Sequence, residues 1–243
     1  MKILRIILML LIAFNVASSQ NADEIISKSL AARGGKTAFK DLKSLSFSAR
    51  MITGGKTINM KVWVSYPDNK MRVELTNFTN EKVTTVFAGK KSWMSKDTAV
   101  QLIPETTLPL LKGQIDAQIG FFYKNMYNYS KRNFRVEYVG QDMTRNIPVH
   151  KIRVTDPDGS EMIYFIDRNN FFEIRFDFLK DVKGNKQNSW FQIRSFVPSS
   201  GYYYPSAVDI FNNGANNGSI SFSEIVVNPK LKKSLFAMPK KKK

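Results

Sequence analysis

Residues able to do acid–base or metal chemistry are few in this chain and poorly grouped. His150 is the only histidine among 243 residues, and it falls in the alternating run Ile147, Val149, Ile152, Val154, which reads as a strand. The sequence contains no cysteine, and one imidazole without thiolates cannot build the usual transition-metal sites. A serine triad would need a Gly-x-Ser-x-Gly elbow, and none is present. Asp156 and Asp158 flank Pro157 ahead of Gly159, which is turn chemistry and lacks the long acidic loop of an EF-hand. Asp167 and Asp177 lie in separate elements, and spacing alone leaves open whether two carboxylates face each other as glycosidases require. The glycines of Ala31-Ala32-Arg33-Gly34-Gly35-Lys36 have neither the spacing of a phosphate loop nor a strand before them. The inventory therefore predicts a non-enzyme with no cofactor and no metal, in which His150 is a solvent-facing or core-edge residue.

Aromatic residues are abundant instead, with 18 Phe, 9 Tyr and 3 Trp. Tyr202-Tyr203-Tyr204-Pro205 and Phe121-Phe122-Tyr123 are dense enough to suggest a binding surface, although strand propensity and core packing account for most aromatics in a β-protein.

The elements that would position such a surface are mainly strands. A helix opens the ordered part, with Asp23 as cap, Ile26 and Leu30 on its apolar side and Gly34-Gly35 as its stop. A second short helix fits Thr37 to Lys43. From Leu45 onward the apolar period becomes two: Ile58, Met60, Val62 and Val64 alternate with Asn59, Lys61 and Ser65. The rhythm returns in Met71/Val73/Leu75, Phe172/Ile174/Phe176/Phe178 and Ile220/Phe222. Turn signals separate these runs at Gly54-Gly55, Pro67-Asp68-Asn69, Ala88-Gly89, 156–159, Arg168-Asn169-Asn170 and 212–218. Such close spacing predicts an antiparallel meander of about eleven strands, because parallel neighbours need long crossovers.

Between Pro104 and Lys131 the alternation stops. Leu108, Leu111, Ile115, Ile119, Phe122, Met126 and Tyr129 recur at spacings of three and four, one face of a helix that Gly113 and Gly120 weaken by about 1 kcal/mol each. A large antiparallel sheet tends to curl. With few helices to cover its apolar face, the interior is either filled by its own side chains or left hollow for a ligand.

The start of the chain reads as an export signal. Lys2 and Arg5 precede an apolar run from Ile6 to Phe14, then the small residues Ala17-Ser18-Ser19. The run is shorter than the ~20 residues that span a bilayer, so cleavage after Ser19 is expected, leaving a single domain over residues 20–243. Without cysteine there is no lipid-modified N-terminus. The formal charge is +17, of which only Lys2 and Arg5 are lost with residues 1–19. A surface this basic attracts anionic partners. The export signal disfavours nucleic acid, and Lys240 to Lys243 could touch anionic headgroups transiently, at about 1 kcal/mol per lysine.

Several segments together resemble the LolA-like superfamily of periplasmic outer-membrane lipoprotein-sorting carriers. Lys61-Val62-Trp63-Val64-Ser65-Tyr66-Pro67 resembles that family's aromatic-valine strand leading to a proline turn. Val86-Phe87-Ala88-Gly89-Lys90-Lys91-Ser92-Trp93 resembles its next hairpin. Val227-Asn228-Pro229-Lys230-Leu231 through Phe236-Ala237-Met238-Pro239 is similar to the closing tail, and Ala22-Asp23-Glu24-Ile25-Ile26 to Arg33-Gly34-Gly35 to the opening helix. The resemblance implies a half-open β-barrel, a strongly curved antiparallel sheet capped by helices over a hydrophobic cavity for acyl chains. It departs at Tyr66, where the sorting carrier has an arginine that holds its lid closed.

The expectation is a monomeric periplasmic carrier or binding protein for lipid or lipoprotein acyl chains, possessing chaperone-like rather than catalytic function. Its alternative is an envelope sensor or interaction module that recognises a partner protein through the same fold. The ligand-site candidates are Trp63, Tyr66 and Trp93 around the cavity, and Leu108, Leu111, Ile115, Phe122 and Met126 on the lid.

Overall fold

The computed structural model describes residues 22–97, 99–108, 126–157, 159–182 and 185–239. The leader 1–19, the tail Lys240 to Lys243 and the lid candidates Leu111, Ile115 and Phe122 lie outside these described residues. Helix α1 covers 22–32, and α2 is Gly35–Asp41. Six strands follow: β1 (Ser44–Thr53), β2 (Lys56–Ser65), β3 (Lys70–Thr76), β4 (Lys82–Phe87), β5 (Trp93–Lys96) and β6 (Ala99–Leu102). Seven more complete the sheet: β7 (Arg135–Thr144), β8 (Ile147–Thr155), β9 (Glu161–Asp167), β10 (Glu173–Val182), β11 (Asn185–Ser199), β12 (Tyr202–Asn212) and β13 (Ala215–Val227).

All thirteen strands join one sheet in the order β6-β5-β4-β3-β2-β1-β13-β12-β11-β10-β9-β8-β7. Each neighbour in that order is a chain neighbour except the pair β1 and β13, which meet antiparallel with Leu45 opposite Val227 and Met51 opposite Ile220. The meander thus starts mid-sheet, runs to one edge at β6, resumes at the other edge at β7 and returns to β1. Because β6 and β7 do not pair, the sheet is open. Mainly β, antiparallel and unclosed, it is of the half-barrel class expected. Thirteen strands form rather than about eleven; β5 and β6 have four residues each, too few to display a period.

The antiparallel order follows from local turn chemistry. Gly54 and Gly55 join β1 to β2 with φ of 53° and 71°, the left-handed pair that matches strand twist in a two-residue hairpin. The same conformation recurs at Arg145-Asn146, Ser200-Gly201 and Asn213-Gly214. The second helix forms slightly earlier than expected. Asp23 is inside α1 rather than capping it, and its carboxylate accepts a hydrogen bond from the Tyr129 hydroxyl. On either side of the undescribed 109–125, the chain forms single 3-10 turns at Glu105–Thr107 and Ser130–Arg132.

Contacts divide the chain into two compact units. The first comprises the described part of residues 1–36, 125–193 and 211–215; the second comprises that of 37–124, 194–210 and 216–243. In the first, α1 buries Ala22, Ile25, Ile26, Ser29 and Leu30, an i, i+3/i+4 stripe, and the sheet buries Ile152, Val154, Tyr164, Ile166 and Phe176. In the second, Leu45, Phe47, Val62, Val64 and Met71 form the core with Phe39 and Leu42. A separate small cluster joins Val86, Trp93 and Phe236.

Candidate functional site

Cross-strand partners point to the same face and successive residues to opposite faces, so the register assigns the side chains of the second unit. One row is Leu45, Val64, Met71 and Phe87; the next is Phe47, Val62, Val73, Thr85 and Met94; the third is Ala49, Met60, Leu75, Val83 and, on β5, the charged Lys96. Burial falls from row to row. The first is fully buried, whereas Val73, Thr85, Met94, Met60, Leu75 and Val83 are half-exposed. Phe47 also meets Phe222 of β13 edge-on, with centroids 5.7 Å apart. A nearly unbroken apolar face is therefore covered at one end and partly open along its length.

The buried end carries tyrosines. Tyr202 and Tyr204 are buried, with ring centroids 5.5 Å apart, and Phe39 of α2 stands edge-on to Tyr202 at 5.3 Å. Tyr66 follows directly on β2, and its backbone N–H donates to the Lys43 carbonyl at 2.9 Å. Burial, and after it Tyr202, pushes the Tyr66 hydroxyl above the ordinary tyrosine range. Where the resemblance implied an arginine, this chain therefore places a neutral phenol with a buried hydroxyl.

The first unit has an apolar face of its own. Ile152, Tyr164, Phe176 and Phe191 form one row, and Val154, Met162 and Phe178 the next. The rings interlock, with Phe176 stacked on Phe191 at 4.9 Å and Phe178 edge-on to both at 5.4 and 5.7 Å. Phe178 and Phe191 remain half-exposed. The other end of this face lies against α1. There Arg33 pairs with Glu173 at 3.6 Å, at side-chain exposures of 1% and 0%, and Lys28 sits over the Phe171 ring.

His150 belongs to that end. Its ring stacks on Phe171 at 6.2 Å, and its Nδ1 lies 3.4 Å from the Tyr138 hydroxyl. Burial, followed by Arg168 and Lys28, lowers its pKa, which favours the neutral imidazole of this half-buried residue. Asp177, facing Arg175 at 2.6 Å, has its pKa raised by burial against the pull of that guanidinium. Among the described residues no group of three or more His, Asp or Glu side chains is placed to hold a metal ion.

The remaining candidates are dispersed. Trp63 and Trp93 stand on the sheet face opposite Val62 and Val64. Trp93 is buried against Val86 and Phe236, and its Nε1 donates to the Phe236 carbonyl at 3.2 Å. Trp63 is half-exposed, with the Lys61 ammonium 5.9 Å from its ring. Leu108 is half-buried and Met126 is buried. The sequence reading passed over Phe47, Val73, Met94, Phe178 and Phe191 as face-lining residues. Their alternation was visible, but the pairing that aligns them into rows was not.

No protein-family model matches the sequence, and a search of curated proteins found no significant match. Solved structures do share the fold. A LolA superfamily protein from Nitrosomonas europaea superposes with a TM-score of 0.58 at 12% identity, over 89% of this chain and 97% of that one. A putative outer membrane lipoprotein-sorting protein domain from Vibrio parahaemolyticus gives 0.57 at 10% identity, over 89% and 96%. A DUF1329 family protein from Desulfovibrio piger gives 0.55 at 12%, over 88% and 96%. At these identities the likeness is one of fold. No helix among the described residues is long and apolar enough to cross a membrane.

Proposed function

We propose that this protein is a non-catalytic carrier or binding protein for lipid or lipoprotein acyl chains, exported to the periplasm after removal of residues 1–19. In this reading residues 20–243 work together as one acyl-binding domain, and the segment carrying Leu108, Leu111, Ile115, Phe122 and Met126 covers the ligand. The observation that carries the reading is the half-open apolar face of β1–β5, which offers Val73, Leu75, Val83 and Met94 and is interrupted only by Thr85 and, at its β5 edge, by the exposed Lys96. The shared fold with a lipoprotein-sorting domain supports the same ligand class. The reading assigns no chemistry to His150, and it treats outer-membrane lipoprotein sorting as one use of such a carrier.

Magnitudes set a requirement on binding. An enclosed methylene contributes about 0.8 kcal/mol, so a chain of about ten methylenes gains about 8 kcal/mol, equivalent to a Kd near 1 μM. The same chain lying half in water gains about 4 kcal/mol and reaches only the millimolar range. Micromolar affinity thus demands enclosure, which is the role given to the lid.

Titration with a fluorescent fatty acid tests this. Val73→Asp and Leu75→Asp place a carboxylate on the face, and each should weaken the probe at least ten-fold, since an unpaired charge in an apolar site costs several kcal/mol. Thr84→Asp, on the opposite face, should leave affinity unchanged. A protein that ignores the probe, or binds it equally in all three variants, would not be an acyl carrier of this design.

A further inference from the structure

A second feature of the other sheet face lies outside the acyl reading. A cavity of about 170 Å³ opens beside the start of β1, the end of β2 and the start of β3, lined among others by Lys43, Ser65, Asp68, Lys70 and Lys233. Three lysines from three separate segments are among its lining residues. None of them forms a salt bridge among the described residues, and the one acid in the lining, Asp68, accepts a hydrogen bond from Ser65 Oγ at 2.8 Å.

The walls are held in place by polar contacts between segments far apart in the chain. Asn228 Oδ1 accepts from the backbone N–H groups of Lys43 and Ser44 at 2.7 and 3.2 Å, and its Nδ2 donates to the Asp41 carbonyl at 3.0 Å. Ser44 Oγ donates to the Pro229 carbonyl at 2.8 Å. Arg72 Nη1 donates to the Leu235 carbonyl at 2.8 Å, and Trp93 secures the Phe236 carbonyl. The C-terminal segment is thus strapped across β1–β5, so the lysines stand on a preformed frame instead of a loose surface. Preorganisation of this kind lowers the ordering cost of binding.

We propose that this cavity binds a phosphoryl group, with Lys43, Lys70 and Lys233 as its cationic donors. Three ammonium groups against one engaged carboxylate leave net positive charge at a concave site, which suits a compact anion. The partly apolar lining by Leu231, Phe236, Pro67 and Pro229 suits a phosphoryl group attached to carbon, and the cavity volume exceeds that of a bare anion. An anionic lipid headgroup and free phosphate share this chemistry. The site is on different residues from the acyl face, so either can exist without the other.

The experiment uses the full mature chain, titrated at low ionic strength with inorganic phosphate and followed by amide NMR shifts. In parallel, it is titrated with vesicles of phosphatidylglycerol or of phosphatidylcholine. The variant Lys43→Met/Lys70→Met/Lys233→Met is compared with Lys82→Met/Lys91→Met/Lys36→Met, which removes the same charge elsewhere. Saturable phosphate shifts at Lys43–Ser44 and Ser65–Lys70, weakened on the order of ten-fold in the cavity variant and less than about two-fold in the control, are expected. If phosphatidylglycerol binding shows the same pattern and phosphate competes with it, the headgroup is the source; if vesicle binding is indifferent to the cavity variant, a soluble phosphoryl compound is. Absence of localised phosphate shifts, or equal weakening in both charge variants, overturns the site and leaves only the general basicity of the protein.

Discussion

Removal of Arg33 alone, by Arg33→Met, should destabilise the protein severely, whereas removal of Arg33 and Glu173 together should not. The two side chains lie 3.6 Å apart at 1% and 0% exposure. At an effective dielectric constant of about 20, their attraction at that distance is about 5 kcal/mol. Stripping one partner from a buried pair costs about 3–5 kcal/mol because the other charge stays buried. Arg33 also follows the last turn of α1, where a cation is favoured by a further ~0.3–1 kcal/mol. The double variant Arg33→Met/Glu173→Leu removes both charges and replaces them with apolar groups of similar length, so it should fall within about 2 kcal/mol of the parent. Urea unfolding of the four proteins gives the coupling energy directly, and at least about 2 kcal/mol is expected. Additive single effects, with coupling below about 0.5 kcal/mol, would refute the idea that this pair docks α1 onto β10.

Gly218→Ala should destabilise strongly, because its φ is +143° and a Cβ there would lie 2.0 Å from the Ile52 carbonyl oxygen; Gly55→Ala, with nothing within 4 Å, should cost only the backbone strain of about 1–3 kcal/mol. Thermal melts of the two variants make the comparison. Phe236→Ala should cost about 3–5 kcal/mol and shift the tryptophan fluorescence to the red, since it uncovers Trp93. For His150, the lowered folded pKa means that the unfolded chain takes up a proton first. Stability is therefore full above about pH 6.5 and is lost as pH falls towards the folded value. Burial first, then Arg168 and Lys28, hold that value down, and Glu24 opposes them. His150→Gln should flatten the melting temperature between about pH 5 and 7 and leave acyl-probe affinity within a few-fold.

Local features of the fold were legible in the residues. Alternation in Ile58/Met60/Val62/Val64 announced β2 and its apolar side, and Gly54-Gly55 announced the hairpin before it, because only left-handed φ at both positions suits that turn. Arg145-Asn146 and Ser200-Gly201 adopt the same turn but were overlooked; an Arg-Asn pair is weak turn chemistry, held in place by the strands it joins. Long-range relations were not legible. Nothing local pairs β1 with β13, links Arg33 to Glu173 across 140 positions, or brings Asn228 onto Lys43. Glu173 in particular pairs with Ile166, on the face that also carries Tyr164, where a charged residue reads as the solvent side. The same holds for Trp63 and Trp93. The strand of Trp63 was identifiable and the four-residue strand of Trp93 was not, and the face they share, under the C-terminal strap in the case of Trp93, is decided by pairing and by a segment 143 residues away.

The most direct measurement of the central proposal is the content of the protein as the cell makes it. The protein should be isolated from its native envelope fraction without detergent, extracted with organic solvent and analysed by mass spectrometry alongside a cysteine-free periplasmic protein of similar basicity. An acyl carrier should bring stoichiometric lipid or acylated peptide with it, and Val73→Asp should come out empty while still folded. A wild-type protein that carries no more lipid than the control, and takes up none when offered acyl chains in vitro, would contradict the proposal.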